Sequence, residues 1–242
     1  TDYKSSKGKL DSLTDQNGKT WEADIFVINA DAAFFRGGIF KRKKFSPKKL
    51  SKLSWTMGYL TFYVGISKKL PQLEHHNYFL GNNYEEYAKD VMKNPGKLEK
   101  PYYYVNVVSK HNNDCAPEGC EALFFVCPVP NLLYKSDWSD KHEIIMSIIE
   151  DFSERINQDI SKDIIFKMEF TPEDWQNNFN LYKGAGLGLS HSMLQIGAFR
   201  PKNYDEKFSN TFYVGASTIP GAGLPMAVIS SKLVTERILK NK

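Results

Sequence analysis

The chain has 242 residues, enough for one large domain or two smaller ones with a sizeable buried core. Hydrophobic residues make up 41% of the sequence and charged residues 25%, which excludes a wholly disordered chain. A net charge of +4 does not by itself indicate nucleic-acid binding, and the apolar stretches at 58–66 and 122–130 are too short to cross a bilayer.

Residues 9–29 are predicted to form a hairpin followed by a buried strand. Asn17-Gly18 favours a type I′ turn, because both residues adopt positive φ readily. Residues 25–28 form a short, continuously apolar run, which is typical of a strand covered on both faces.

A basic stretch follows at 36–52. It contains no acidic residue, and its basic members are Arg36, Lys41, Arg42, Lys43, Lys44, Lys48, Lys49 and Lys52. One interpretation is a patch that docks on anionic lipid, at about 1 kcal/mol per basic residue, with Phe40 and Phe45 inserted at the interface. The other is a solvated helix face and loop. The stretch is too short to favour a nucleic-acid interface.

Further strands are predicted at 55–66, 102–108 and 122–129, where aromatic and β-branched residues are frequent. Ser139 is predicted to cap a helix, and Thr171-Pro172 is predicted to start another. The first of these helices has an apolar stripe formed by Ile144, Ile145, Ile148, Ile149, Phe152 and Ile156. Because strands and helices are interleaved, the predicted fold class is mixed α and β (α/β).

The cysteines and histidines predict no metal site. Cys115, Cys120 and Cys127 match no zinc spacing and cannot all pair with one another, so a reduced, intracellular protein is expected. His75 and His76 are adjacent, and in a strand they would point to opposite faces. His191 follows the glycine-rich segment 184–188, where a structural role is favoured over one at the border of a tunnel.

The C-terminal part carries the sharpest local signal. A strand at 211–215 is followed by a glycine- and proline-rich loop and by a helix from about Leu224. The spacing of Gly221, Gly223 and Met226 does not match a dinucleotide fingerprint. Two interpretations remain open: a structural turn that binds nothing, or backbone amides at a helix start that face an electron-rich group.

Several motifs, taken in chain order, resemble those of one family. They are Asp-Ile-Phe-Val-Ile-Asn-Ala-Asp at 24–31, Glu-His-His-Asn at 74–77, Ala-Pro-Glu-Gly at 116–119, Phe-Arg-Pro at 199–201 and the glycine-rich segment at 214–225. The chain is identified as similar to the C-terminal part of the phytoene desaturase (carotenoid desaturase) family, within the FAD-dependent, flavin amine oxidase-like superfamily. It departs from the family at Ile219, where histidine is usual, and at Met226, where glycine is common.

The resemblance implies FAD as the cofactor and leaves the catalytic residues unassigned. The residues expected to contact the flavin are Asn29, Ala30, Asp31, Gly215, Ala216, Thr218, Gly223, Leu224, Pro225 and Met226. It also implies three segments: the end of an FAD-binding domain at 1–35, a substrate domain with a mixed β-sheet and covering helices at 36–200, and the C-terminal portion of a Rossmann-like FAD-binding domain at 201–242. The family's Gly-x-Gly-x-x-Gly turn is not in this sequence, and is expected on an N-terminal segment before Thr1.

The implied activity is the introduction of double bonds into a long isoprenoid or carotenoid by hydride transfer to flavin. That substrate class favours peripheral membrane contact through 36–52 on the cytoplasmic side. Alternatives are a carotenoid isomerase, a retinol saturase-like flavoenzyme and a non-catalytic module that binds lipid.

Overall fold

The computed structural model describes residues 2–81, 83–93 and 102–240. These residues divide into two compact units. The first unit contains the residues up to Thr56, residues 180–182 and the residues from Leu187 onward, and the second contains Met57–Phe179 and Lys183–Gly186. Residues 36–56 and 187–200 therefore lie in the same unit as the predicted flavin segments. The assignment of cofactor and substrate to the two units stays a prediction.

The strands and helices interleave along the chain, and the mixed α and β class is confirmed. The strands are β1 (Asp2–Ser6), β2 (Lys9–Thr14), β3 (Thr20–Glu22), β4 (Phe26–Ile28), β5 (Gly58–Ile66), β6 (His76–Phe79), β7 (Tyr103–Val107), β8 (Glu121–Val129), β9 (Ile164–Phe170) and β10 (Thr211–Tyr213). The α-helices are α1 (Pro47–Leu50), α2 (Tyr84–Lys93), α3 (Lys141–Arg155), α4 (Pro172–Phe179) and α5 (Leu224–Lys240).

The first unit contains an antiparallel sheet of β1, β2 and β3. The predicted hairpin is present, but its turn differs from the prediction. Gly18 has φ +80°, whereas Asn17 is not among the residues with positive φ, so the turn is not type I′. The Asp15 carboxylate accepts hydrogen bonds from the N–H groups of Asn17 (2.9 Å) and Lys19 (3.1 Å), which favours a three-residue loop closed by Gly18.

A two-residue turn with positive φ at both positions is found between β1 and β2 instead. Lys7 has φ +46° and Gly8 has φ +77°, and the flanking residues Ser6 and Lys9 are paired across the strands. This is the geometry of a type I′ hairpin, whose twist matches that of the strands it joins.

A second sheet of the first unit consists of β4 and β10, which are parallel, with Phe26 opposite Thr211. Ile28 and Phe26 are buried, but Val27 is 51% exposed, so the prediction that this strand is covered on both faces is wrong in the described chain. The core of the unit comprises Leu10, Phe26, Ile28, Phe40, Phe208 and Tyr213.

The basic stretch at 36–52 is partly internal. Phe40 and Phe45 are buried, so the prediction that they insert at a lipid interface is wrong: burying their rings in the unit removes more apolar area from water than exposure would. Arg36 and Arg42 are buried as well, and Arg42 forms an ion pair with Asp205 (2.5 Å). The exposed members, which we call the lysine patch, are Lys41, Lys43, Lys44, Lys48, Lys49 and Lys52.

The second unit is built on a five-stranded sheet in the order β6-β7-β8-β5-β9. Every neighbouring pair in this sheet is antiparallel, so the prediction of a mixed sheet is wrong, although the predicted strands β5, β7 and β8 are confirmed. The sequence prediction missed β6 and β9. In β9 the alternation of Phe166, Met168 and Phe170 with charged residues is the period-2 signal that could have identified it.

Helix α3 closes one face of the sheet. Its apolar stripe is confirmed: Ile145, Ile148, Ile149 and Phe152 are buried against alternate residues of β5, β7 and β8. The helix begins after Asp140 rather than Ser139, because the Ser139 hydroxyl donates to Asp137 (2.9 Å) instead of capping the helix.

Helix α4 begins as predicted, with Pro172 at its first position and the Thr171 hydroxyl accepting from the Asp174 N–H (3.4 Å). Helix α5 follows the glycine-rich loop, also as predicted. Within the described ranges, no helix combines the length and the apolar character needed to span a membrane.

Candidate functional site

The ends of β4 and β10 bring two predicted site residues together. The Val214 N–H donates to the Ile28 carbonyl (3.0 Å), which extends the parallel pairing by one step beyond the strands. The next residues, Asn29 and Gly215, are then in contact, and a Cβ atom on Gly215 would overlap the Asn29 side-chain oxygen. The Asn29 side chain could move away from such an atom, but Gly215 has φ +92°, and this backbone conformation favours glycine here.

Asp31 lies at the start of a single π-helical segment, Ala33–Ile39. Its Oδ1 accepts from the N–H groups of Ala33 (2.8 Å) and Phe34 (3.1 Å), and its Oδ2 accepts from the Ser217 hydroxyl (3.4 Å). Burial raises the pKa of the Asp31 carboxyl above its ordinary value, although these hydrogen bonds oppose the shift. Ala30, the third predicted residue of this segment, packs partly buried against the core of the unit.

The loop that follows β10 is fixed to the preceding segment by polar contacts. The Thr218 hydroxyl donates to the Pro201 carbonyl (2.7 Å), and the Thr218 N–H donates to the Gly215 carbonyl (3.3 Å). The buried Arg200 guanidinium donates to the carbonyls of Ala216 (2.7 Å) and Thr218 (3.1 Å). Ala216 and Thr218 were predicted as site residues without any indication of their partners. In the structure, Arg200 holds the backbone of both residues in place.

Arg200 also donates to carbonyls on a second segment: those of Leu189 (3.2 Å), Ser190 (3.3 Å) and Gln195 (3.2 Å). The side chain is 2% exposed, and burial lowers its pKa from the ordinary value. Arg200 therefore joins the segment 189–195 to the loop 216–218. The sequence prediction missed this role, and its only signal was that Arg200 lies in a motif that resembled the family.

His191 contacts the same glycine-rich loop. Its Nε2 accepts from the Ala222 N–H (3.3 Å), and a Cβ atom on Gly221 would lie 2.5 Å from that nitrogen. Burial and the positive charge of Arg200 lower the pKa of His191, which favours the neutral ring that can accept this bond. The predicted structural role agrees with this placement.

The remaining predicted residues form the start of α5. Gly223 has φ +123°, and the helical hydrogen bonds begin with the Ala227 N–H donating to the Gly223 carbonyl (2.9 Å). The N–H groups of Leu224 and Met226 precede that bond, whereas Pro225 has no N–H to offer. An electron-rich group placed here would meet two backbone donors and the positive end of the helix dipole.

The histidines of the second unit are closer than predicted. The ring centroids of His75 and His76 lie 4.3 Å apart, and those of His75 and His111 lie 4.5 Å apart, so the prediction of opposite faces is wrong. His75 precedes the first residue of β6, and strand alternation does not yet apply to it. In the portion of the chain that the structure covers, no group of metal-ligating side chains has the arrangement of a metal site.

Comparison with known proteins gives the family context. No family model matches the chain. It is 35% identical over 234 residues to a zeta-carotene-forming phytoene desaturase of Myxococcus xanthus, a match that covers 96% of this chain and 45% of that protein. It is 32% identical over 255 residues to a phytoene desaturase of Fusarium fujikuroi, with 97% and 45% covered. The chain spans about half the length of the curated relatives it matches.

The fold has a counterpart among solved structures. It is similar to that of an oxidoreductase from Methanosarcina mazei, with a TM-score of 0.53, 12% sequence identity and coverage of 97% of this chain and 48% of that one. At that identity, the likeness concerns the fold alone. The family assignment rests on the sequence relatives, and they confirm the prediction from the motifs. This chain is a homologue of the phytoene and carotenoid desaturases and corresponds to about half of such a protein.

Proposed function

We propose that this chain is part of an FAD-dependent carotenoid desaturase, which introduces double bonds into a long isoprenoid hydrocarbon. The observation that carries the proposal is the face of the five-stranded sheet that points away from α3. We call it the aromatic face and define it by Tyr63, Tyr104, Phe124, Phe166, Met168 and Phe170.

Side chains alternate between the two faces along each strand. In β5, Leu60, Phe62 and Val64 are buried on the α3 side, so Tyr63 and its cross-strand partners lie on the opposite face. Tyr63 and Phe124 are directly opposite each other and stacked at 4.6 Å. On the edge strand β9, Phe166 is 54% exposed and Met168 is 43% exposed. Within the second unit, this face carries large apolar side chains, several of them accessible, and the polar residues Thr61 and Asn106 lie among them.

An apolar surface of this kind suits a hydrocarbon ligand. A polyene or its precursor has no charge or hydrogen-bonding group by which a protein can grip it, so affinity must come from buried apolar area, at about 25 cal/mol per Å². Rings also provide flat contact area with few rotatable bonds to immobilise.

FAD is proposed as the cofactor, and the residues of the first unit fit it. Gly215 and Gly223 keep backbone accessible where any side chain would be strained, and the amides of Leu224 and Met226 precede the helical hydrogen bonds. Bound flavin supplies a two-electron acceptor for the hydride removed from the substrate. The two amides would stabilise negative charge beside them through hydrogen bonds and the helix dipole.

Two further elements complete the proposal. Additional sequence, beyond the residues of this chain, holds the FAD pyrophosphate, because no Gly-x-Gly-x-x-Gly turn occurs among the 242 residues. The lysine patch contacts anionic lipid, in which an isoprenoid substrate dissolves. Six lysines are exposed there, whereas the neighbouring Arg36 and Arg42 are buried.

The test uses the full-length protein. We expect it to retain the visible absorption of oxidised flavin through gel filtration, and to bleach that absorption under anaerobic conditions when phytoene in detergent is added. A Gly223→Ala variant should lose flavin, whereas Gly18→Ala, which also places alanine at a positive φ but in a hairpin loop, should keep it. Retained flavin with no bleaching by any C40 polyene would contradict the desaturase. A protein that binds polyene but no flavin would instead be a lipid-binding module.

A further inference from the structure

A pocket of about 400 Å³ opens at one end of the aromatic face. It lies wholly within the second unit, between β5, β8, β9 and the loop 115–120. Its volume falls within the range of small-molecule sites, about 300–1,000 Å³.

The floor of the pocket is made by the smallest side chains of the sheet. Gly65 of β5 and Ala122 of β8 are direct cross-strand partners, and Gly65 is opposite Phe166 of β9 on its other side. Two residues further along the same face, the paired residues are Tyr63 and Phe124. Two large stacked rings are therefore followed, two residues along the strands, by a glycine and an alanine. The space that these two small residues leave forms the pocket.

The far wall is the loop 115–120, which is held at both ends. At its start the Cys115 N–H donates to the Asn112 carbonyl (3.1 Å), and at its end the Cys120 N–H donates to the Pro117 carbonyl (3.0 Å) and the Ala122 N–H to the Ser109 hydroxyl (3.1 Å). Cys115 is exposed and Cys120 is half-buried, and both line the pocket.

The lining carries no available charge. Glu121 lines the pocket through its position on β8, but its side chain belongs to the opposite face, where the carboxylate accepts from the Ser109 hydroxyl and lies 3.8 Å from the Lys110 ammonium. The other lining residues are apolar, aromatic or thiol-bearing. A charged or strongly hydrated ligand would lose its hydration here without compensation.

We propose that this pocket binds the methyl-branched end of the isoprenoid chain and so fixes how far the substrate extends along the aromatic face. The inference rests on the proposed function and adds to it a specific subsite. The pocket is continuous with the aromatic face through Tyr63, and its floor is wide because two small residues are paired there. Ala122 is consequently the residue whose volume sets the depth of the subsite.

Thiol protection tests the subsite without reference to turnover. The full-length protein is treated with a maleimide in the presence of myrcene, a ten-carbon isoprenoid hydrocarbon, and labelling of each cysteine is followed by peptide mass spectrometry. We expect Cys120 to be labelled roughly tenfold more slowly at about ten times the Kd. Ala122→Leu should abolish the protection and Ala122→Ser should retain it. Cys127, which is fully buried on the α3 face, should stay unlabelled in every sample, so its labelling reports unfolding.

Protection of Cys120 that is equal in Ala122→Leu and the unchanged protein would overturn the subsite, as would no protection in the unchanged protein. If Ala122→Leu does not fold, as judged by its thermal melt, Ala122→Val provides the smaller step. The subsite and the desaturase can fail separately. Protection without flavin bleaching by phytoene leaves the subsite and removes the desaturase, whereas bleaching without protection leaves the desaturase and removes the subsite.

Discussion

The Arg200 guanidinium donates to the Ala216 carbonyl at 2.7 Å, and this bond ties the loop after β10 to the segment 189–195. The same side chain donates to four other carbonyls and is almost fully buried. A fork of five N–H groups is required to serve both segments, which only arginine provides.

We therefore expect Arg200→Ala to lower the free energy of unfolding by at least about 3 kcal/mol, since several buried carbonyls lose a charged donor. Arg200→Lys should recover only part of it, because an ammonium has three donors and no planar fork. Urea unfolding measures the change, and gel filtration with FAD measures flavin retention. Arg237→Ala, at an exposed arginine of the same unit that lies over the Tyr204 ring, is the control and should change stability by less than about 1 kcal/mol. A similar loss in both variants would contradict the role of Arg200.

Asp31 gives a prediction with a defined pH dependence. Burial raises the pKa of the Asp31 carboxyl in the folded state. The protonated carboxyl therefore contributes stability at pH values below the unfolded pKa, and this contribution is lost as pH rises through the folded pKa. Asp31→Asn keeps the oxygen that accepts from Ala33 and Phe34 but never ionises. Its melting temperature should exceed that of the unchanged protein at pH 7, and the excess should shrink below about pH 4. A difference that does not vary with pH would show that ionisation of Asp31 costs nothing.

The lysine patch predicts lipid binding that depends on charge. The triple variant Lys43→Glu, Lys44→Glu and Lys48→Glu should reduce co-sedimentation with anionic vesicles by about 100-fold, from about 1 kcal/mol per lysine removed. The matched control reverses the same number of charges at Lys4, Lys7 and Lys9, which are also exposed in the first unit. Equal loss in both triples would indicate a response to net charge rather than a patch.

Helix α3 predicts where the second unit is most sensitive. Ile148 is completely buried against the sheet, so Ile148→Ala should cost about 2–5 kcal/mol through lost burial and the cavity left behind. Met146, on the same helix, is 39% exposed, and Met146→Ala should cost much less. Thermal unfolding of both variants tests this, and equal costs would mean that α3 does not close the core as described.

The parts of the fold that follow from local sequence were predictable. The apolar stripe of α3 has the helical period, and the start of α4 has both a capping hydroxyl and a proline. Each helix is therefore predicted by residues that are close together in the sequence. The β2–β3 turn was not predictable from Asn17-Gly18 alone, because the Asp15 carboxylate decides which turn forms. Phe40 is buried against Tyr3 and Phe208, which are far from it along the chain, and the basic residues beside it in the sequence give no sign of that packing.

The candidate site shows the same division. Motifs in the sequence identified Asn29, Asp31 and Gly215, which the structure brings to the ends of β4 and β10. Ser217 and Arg200 were missed, because their roles depend on hydrogen bonds to distant residues. Ser217 donates to the Asp31 carboxylate, and Arg200 donates to backbone carbonyls. A pattern of residue types contains no record of such contacts.

The parallel pairing of β4 with β10 has a consequence for the order of folding. Phe26 leaves the ribosome well before Thr211, and the whole of Met57–Phe179 is synthesised between them. The second unit can therefore collapse around α3 while the first still lacks a strand, and β4 must wait with its edge unpaired. Synthesis pauses placed before residue 211 should prolong the interval in which β4 lacks this partner and is accessible to chaperones.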